Sequence, residues 1–568
     1  MNTYDVAISG LGPTGLTLAH LLGRRGLSVL VLEREPEFYG NARAVYTDDE
    51  ALRVFQTAGV ADDIHTDMNV DSAVQWLKAN GDVLIRFRQR QRPLWWPVVN
   101  FLYQPYLESR LESLLERYPS VKVLRGREVV DFIQDDMGVS VVHAASTGSG
   151  YGKRENIVDE SSQRTVRAAY LVGADGGRSI VRVNQGIEMA GKSYPERWLV
   201  IDLAAKEGID AFRHLPYFDF ICDPDMPTVS CPQPGGRHRF EFALKDEDDR
   251  NTFASDEMVR KLMSAYVNPD EVEVKRQLVY TFNAVVADKW RNGRVLLAGD
   301  AAHMTPQFVG QGMNAGVRDA DNLSWKLAAV IQHGADPKLL DTYESERRPH
   351  ATSMIKFSVF NKCLVSIKNP VSAKARDAAM WTSLHTPGLR GWVRSAGMKP
   401  KPRLKKDGYV GLPRGLRGIE GTLAPQPEVR RYDGRPVRLD DALGTGWSVI
   451  GVGVDPRQTL GTDVAIWETV GTTFATIYAA GTRPQGEIGD GRRKAGLVDL
   501  EDTTNELTRW LRKAGVRRCS LVVLRPDKYV FGVARSGDAT ALTRALIAQL
   551  GLAAPAATPA LETEMSTR

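Results

Sequence analysis

The sequence predicts an α/β protein in which an antiparallel β-sheet interrupts a parallel sheet and a smaller α/β module follows. Three observations predict it: a strand-helix-strand unit at the N-terminus, a long middle stretch of period-two alternation, and renewed strand and helix signals beyond a basic segment rich in proline and glycine.

The elements follow in order. "YDVAISG" reads as a buried strand, "PTGLTLAHLLGRRG" as a helix with Pro13 in its first turn and Gly26 after its last, and "LSVLVLERE" as a second strand. "PYLESRLESLLERY" is amphipathic, "VKVLRGREVVDFIQ" and "AAYLVGAD" read as strands, and Gly176 and Gly177 break the latter before a helix start near Ser179. From "ERWLVIDLAA" to "RQLVYTFNAV" the period is two, clearest in "RHRFEFAL", which predicts an inserted antiparallel sheet interrupted by the helical patch "DEMVRKLMSAY". "GRVLLAGD" returns to a buried strand, and Ala320, Leu323, Leu327 and Ile331 have the spacing of one helix face. "KPKPRLKKDGYVGLPRGLRGIEG" reads as a linker, and "GWSVIGVGV", "FATIYAAG", "GLVDL", "NELTRWLRKAG" and "CSLVVLRPDKYVFGVA" as a separate α/β module. The expected division gives 1–75, 101–185 and 285–395 to the nucleotide-binding domain and its helical region, and 76–100 and 186–284 to the inserted substrate domain. Residues 396–555 form the linker and C-terminal module, and 556–568 a disordered tail.

With 568 residues and 43% hydrophobic content, the chain can bury several cores. A net charge of +5 without a long basic run speaks against nucleic acid or a membrane surface as the main partner and favours a small molecule. No signal peptide and no apolar run of about 18 residues is legible, so a cytoplasmic protein is expected. Cys222, Cys231, Cys363 and Cys519 are scattered without C-x-x-C, which predicts free thiols, and no metal-ligand set stands out.

Gly10, Gly12 and Gly15 form G-x-G-x-x-G between a strand and a helix, where glycines permit a tight turn and close approach to a pyrophosphate at a helix N-terminus. Glu33 ends the second strand, where a carboxylate accepts hydrogen bonds from an adenosine ribose. An acid there disfavours a 2′-phosphate, so FAD or NAD fits this site better than NADP. In place of a further strand-helix unit, "NARAVYTDDEAL" is a polar loop whose Arg43 could reach a phosphate or a flavin edge. Asp175 in "LVGADGG" either caps a turn or accepts from a ligand hydroxyl, and Arg178 and Arg182 could meet a second anionic nucleotide.

Taken in order, "GLGPTG" with Glu33, "GADGG" with Arg178, and "GRVLLAGDAAHMTPQFVGQGMNAGVRDADNLSWKL" resemble, over residues 3–350, the single-component FAD-dependent aromatic hydroxylases, the group-A flavoprotein monooxygenases. "RAVYTDDEALRVFQTAGVADDI", "FICDPDMP" and "LDTYESERRPHA" resemble the 3-(3-hydroxyphenyl)propionate hydroxylases among them. The implied fold is a Rossmann-like FAD domain of the glutathione-reductase type with an inserted antiparallel substrate domain. "LVVLRPDKYVFGVA" resembles the thioredoxin-like domain of the phenol hydroxylase branch; lacking C-x-x-C, it implies a structural role or a dimerisation role, the latter in a homodimer. The sequence departs from the family at Gln307, Phe308 and Val309, in place of a second proline and a glycine pair, and at Phe282 and Val285, in place of a histidine and an arginine.

The resemblance implies that NADH or NADPH reduces FAD, that O₂ forms a flavin C4a-hydroperoxide, and that this hydroxylates a phenol, such as a 3-hydroxyphenylpropionate, in aromatic catabolism. A polycyclic polyketide-type substrate, or a flavin dehydrogenase without oxygen insertion, are the alternatives. By motif match Gly10, Gly12, Gly15 and Glu33 hold the adenosine end and Arg43, Gln104 and Arg110 the middle, with Arg34, Val129 and Asp175 also counted as cofactor-binding. Asp300 takes the ribityl or pyrophosphate part, the backbone N–H groups of Gly312, Met313 and Asn314 face the flavin, and Gly310 is also counted as cofactor-binding. Pro306 borders the reacting ring. Asp48, His214, Tyr217, His238 and Arg239 are the candidates for activating the phenol, with Arg239 also a candidate for a substrate carboxylate. His303 is expected to make a structural hydrogen bond.

Overall fold

The computed structural model describes residues 3–38, 40, 42–147, 157–245, 255–394, 397–404, 418–484, 496–516 and 520–552. Cys519 and the tail 556–568 lie outside these residues, as does most of the expected linker. The chain divides into two compact units, Met1–Ala328 with Tyr343–Leu404 and Pro425–Pro427, and Ala329–Thr342 with Lys405–Ala424 and Glu428–Arg568.

In the first unit the strands Val295–Leu297, Val158–Gly173, Thr3–Ser9, Val29–Glu33 and Val121–Arg125 lie side by side in that order, all parallel. Parallel strands are covered on both faces, which is why "VAIS" and "VLVL" are continuous apolar runs, with Val6, Ala7, Ile8, Leu30 and Val31 fully buried. The helix Pro13–Arg24 buries Leu16, Leu18, Leu21 and Leu22, and its Gly23 leaves room for Tyr118 and Val121. "VKVLRGREVVDFIQ" is two strands, not one: Gly126, at φ +64°, turns the chain from the parallel sheet into Arg127–Asp135, which hairpins with Gly138–Ser146.

The inserted sheet has eight strands, in the order His303–Met304, Val272–Ala287, Met189–Ala205, Arg237–Ala243, Thr228–Gln233, Phe218–Ile221, Val74–Leu77 and Val83–Phe87. Its first strand begins at Val74 and its long strand Val272–Ala287 runs to Ala287, and its two-residue edge strand His303–Met304 is too short to leave any periodicity in the sequence. One cross-strand row, Trp76, Phe220, Val229, Glu241, Val200 and Leu278, shares a face across six strands, and Cys231, Arg239, Asp202 and Arg276 form the next row on that face. The opposite face packs Leu199, Ile201, Phe240 and Phe242 on the helix Asp256–Met263 through Val259 and Met263.

The second unit holds a seven-stranded sheet, Pro436–Arg438, Glu428–Arg431, Leu497–Asp502, Thr473–Ala479, Ser448–Val452, Ser520–Leu524 and Val530–Arg535. Three central strands are parallel and the outer ones antiparallel, around a core of Ile450, Ala475, Ile477, Leu500 and Val522.

Candidate active site

Four parallel strands deliver their carboxyl ends to one cleft: Thr3–Ser9 leads to Gly10, Val29–Glu33 ends on Glu33, Val158–Gly173 leads to Asp175 and Val295–Leu297 to Asp300. Ligands of open α/β sheets bind there. The cleft has two parts. One is lined by Gly10, Glu33, Arg34, Val129 and Asp175, the other by Asp300, Gly310, Gly312 and Met313, and Gly12, Pro13, Arg43, Gln104, Ala174 and Gly176 border both.

The three motif glycines do different work. A Cβ on Gly10, at φ +102°, would lie 2.5 Å from the Ala174 carbonyl oxygen, and one on Gly15 would lie 2.0 Å from that of Gly10. Those two are required by the protein's own packing, so Gly15 supports the site without lining it. A Cβ on Gly12 or Gly312 would meet nothing within 4 Å, so both leave the cleft wall as bare backbone.

The polar groups are held in place. Glu33 accepts hydrogen bonds from the Leu11 and Glu35 N–H groups at 2.7 and 2.9 Å, fixing its carboxylate at the strand end. Asp175 accepts from the Val181 N–H at 3.3 Å through Oδ2, while its buried Oδ1 has no partner. Burial pushes its pKa up, so a ligand hydroxyl donating to Oδ1 would satisfy an orphaned acceptor. Gln104 Oε1 accepts from the Arg43 and Ala44 N–H groups at 2.8 and 2.5 Å. Arg239 donates to the Arg43 and Ala42 carbonyls at 2.6 and 2.8 Å and to Asp202 at 2.6 Å, so the loop bearing Arg43 is gripped from both sides. Burial raises the Asp300 pKa, with Arg43 the leading offsetting charge. Asp319, which the sequence reading missed, braces this turn: it accepts from Gly299 N–H at 3.1 Å, pairs with His303 at 2.7 Å and takes Arg347 Nε at 2.9 Å. Burial alone would raise its pKa, but His303 and Arg347 hold it at about 2. His303 thus makes a structural bond, and its ring lies tilted against Trp290 at 5.1 Å.

The helix Gln311–Gln332 begins beside the cleft, presenting the backbone of Gly312 and Met313 from its first turn, where N–H groups lack intrahelical partners. Asn314 turns inward: it donates to the Gly310 and Tyr46 carbonyls at 2.7 and 3.3 Å and accepts from Thr47 Oγ1 at 2.9 Å. Pro306 itself does not line the cleft, although Thr305 and Gln307 on either side do. Bare backbone at Gly12 and Gly312, the unpartnered Asp175 oxygen and an elongated cavity fit a dinucleotide such as FAD.

Several candidates lie elsewhere. Arg110 is a half-exposed partner of Asp67 at 3.6 Å, outside the cleft. Asp48 caps the helix Asp49–Ala58 by accepting from Ala51 N–H at 2.9 Å and is held far below the carboxylate range by Arg318 and Lys399, against the upward push of burial. Tyr217 lies under Arg86, with 4.8 Å from guanidinium to ring, and does not line the cleft. His214 is exposed and bonds the Tyr266 carbonyl. His238 faces away from the cleft, stacked on Phe212 and hydrogen-bonded to Ser230, and burial drops its pKa to about 3. Arg239 does line the cleft, but its clamp on Asp202 and the 42–43 carbonyls occupies the donors that a substrate carboxylate would need.

Glu241, two residues along the same face, is the residue that the sequence reading passed over. It is buried in the cleft wall and accepts a hydrogen bond from Gln307, next to Pro306. Burial lifts its pKa to about 7, with Arg239 pulling the other way. Tyr280 also lines the cleft with a buried hydroxyl that has no partner. Phe308 closes the wall edge-on to Trp198 and Phe282, both at 5.1 Å.

Residues 3–358 match the family described as FAD binding domain, and residues 421–549 the HcaD C-terminal domain. The 3-(3-hydroxy-phenyl)propionate/3-hydroxycinnamic acid hydroxylase 2 of Burkholderia vietnamiensis is 37% identical over 535 residues, 93% of each chain. The corresponding hydroxylase of Escherichia coli is 34% identical over 536 residues, covering 94% of this chain and 92% of the relative. Among solved structures, the flavin-dependent monooxygenase PieE in complex with FAD and substrate aligns with a TM-score of 0.77 at 21% identity, over 97% of this chain and 99% of that one. A complex of aklavinone-11 hydroxylase with FAD and aklavinone aligns at 0.72 and 22% identity, over 97% and 99%. These two likenesses establish the fold. With the family match spanning most of the chain, and with relatives at this identity along nearly its whole length, the protein belongs to the FAD binding domain family and is an FAD-dependent aromatic hydroxylase.

Proposed function

We propose that the protein hydroxylates a phenol, consuming NADH or NADPH and O₂ and releasing a dihydroxylated ring, NAD(P)⁺ and water. The observation that carries this reading is the continuity of the cleft, from Glu33 past Asp175 and Asp300 to Gly312, under a sheet face bearing Glu241. FAD, when bound, supplies the electron transfer and oxygen activation; the protein binds, orients and handles protons. Glu33 and Asp175 take ribose hydroxyls, Arg43 a phosphate, and the first turn of Gln311–Gln332 stabilises negative charge at its N-terminus. Glu241 accepts the phenol proton, because an ionised phenol is the better nucleophile, and Gln307 holds that carboxylate towards the ring. The C-terminal module, which resembles a thioredoxin-like domain, serves structure or dimerisation.

The test is a screen of phenols for stimulated NAD(P)H oxidation with stoichiometric hydroxylated product, beginning with 3-(3-hydroxyphenyl)propionate, the compound named in the relatives' activity. Stimulated oxidation that yields only hydrogen peroxide with every phenol, or conversion of a non-aromatic compound instead, would overturn the reading.

A further inference from the structure

A second cavity, about 1010 Å³ with its solvent mouth included, shares Phe218, Phe308 and Gly310 with the cleft. Trp76, Ile85, Phe87 and Phe220 line it from the inserted sheet, and Met354 and Phe357 from the helix Asp341–Val365. The row that carries Glu241 in the cleft runs through Val229 to Phe220 and Trp76 in this chamber, so a ring placed against Glu241 can extend along the row into apolar space.

The polar side chains among the described walls are Tyr46, Gln311, Asn361 and Lys399, each engaged within the protein, and Trp76, whose buried indole N–H has no partner and offers a neutral donor rather than a charge. Tyr46 Oη donates to the Val98 carbonyl at 2.9 Å, Gln311 donates to Asp48 at 3.1 Å and accepts from Arg318 at 3.0 Å, and Asn361 donates to the Phe357 carbonyl at 2.9 Å. Lys399, the cation of these walls, lies between Asp48 and Glu50 at 2.9 and 3.1 Å, and the same two carboxylates hold Arg318. Two cations face two carboxylates, which leaves no excess positive charge for an anionic guest. In the cleft, Arg239 and Arg276 lie one row from Glu241 and bracket Asp202.

Resting on the reading of the site as a phenol hydroxylase, we infer that the substrate is a phenol with an uncharged, hydrophobic substituent, and that the chamber discriminates against a short arylalkanoate. A carboxylate carried there loses its water without gaining a counter-charge, whereas an alkyl or aryl group gains apolar burial. Phe308, at the junction of cleft and chamber, adds apolar surface to the path.

The experiment compares three ligands of the FAD-loaded enzyme: 3-propylphenol, 3-(3-hydroxyphenyl)propionate, and the methyl ester of that acid, which keeps the chain and removes the charge. Binding is read from the perturbation of the flavin absorbance without NAD(P)H, and turnover as kcat/KM for hydroxylated product. The alkylphenol and the ester are expected to bind and react about a hundredfold better than the acid, given the cost of an unpaired buried carboxylate. An acid that binds and reacts as well as its ester overturns the inference while the hydroxylase reading stands. If none of the three is hydroxylated while another phenol of the screen is, the inference falls and the hydroxylase reading stands; if no phenol is hydroxylated, both fall.

Discussion

Glu241 pairs a carboxyl with an apolar surround, and the two together set its chemistry. Val229, Val200 and Leu278 share its row and Arg239 is the nearest strong counter-charge, so burial lifts the pKa from the ordinary 4.5 to about 7. As the acceptor of a phenol proton it works when ionised, so kcat/KM is expected to rise through pH 7. Glu241→Gln should flatten that limb and cut kcat by about 10²–10⁴-fold with FAD retained; a variant with an unchanged pH profile would remove Glu241 from the mechanism. The stability sign runs opposite to the usual carboxylate. A folded pKa above the unfolded one means that the native state binds the proton more tightly, so stability is full below pH 4.5 and declines as pH rises towards 7. Thermal melts of Glu241→Gln at pH 8 are therefore expected to show no loss, which separates lost activity from a lost fold.

Among the elements, the first turn of Pro13–Arg24 shows what a motif can and cannot convey. Gly12→Ala is expected to melt within about 0.5 kcal/mol of the parent, since its Cβ enters open space, yet to bind FAD more weakly. Gly10→Ala and Gly15→Ala should each cost about 1–3 kcal/mol, because their Cβ atoms strike backbone. Guanidinium melts combined with flavin content of the purified proteins would check both; equal behaviour of the three would refute the division. The strand-helix-strand unit and the cofactor end were legible because buried parallel strands and G-x-G-x-x-G leave local signals. The inserted sheet was legible as alternation, but alternation cannot say which face turns to the cleft, and a one-residue choice separates His238, in the far core, from Arg239 and Glu241. Asp48 misled for a related reason, as a helix cap and a catalytic acid look alike until Arg318 and Lys399 arrive from 270 and 351 residues away.

For the whole molecule, the FAD cleft belongs to the first unit alone, every lining residue falling within it. FAD at a hundred times its Kd should therefore stabilise that unit by about 2.7 kcal/mol and raise its calorimetric transition, with Asp300→Ala reducing the shift. A shift of the same size in Asp300→Ala would remove Asp300 from the binding set. The order of strands in this unit also bears on how the chain comes into being. Thr3–Ser9 is made first, but the strand that delivers Asp300 begins only at Val295. At ribosomal speeds of roughly 5–20 residues per second, the N-terminal strand waits roughly 15–60 s for the sheet to be completed. Gly10 and Glu33 are in hand early, whereas Asp300 and Gly312 emerge late. The cofactor can lock only a nearly finished unit, which makes the nascent chain before that moment the stage most exposed to misfolding.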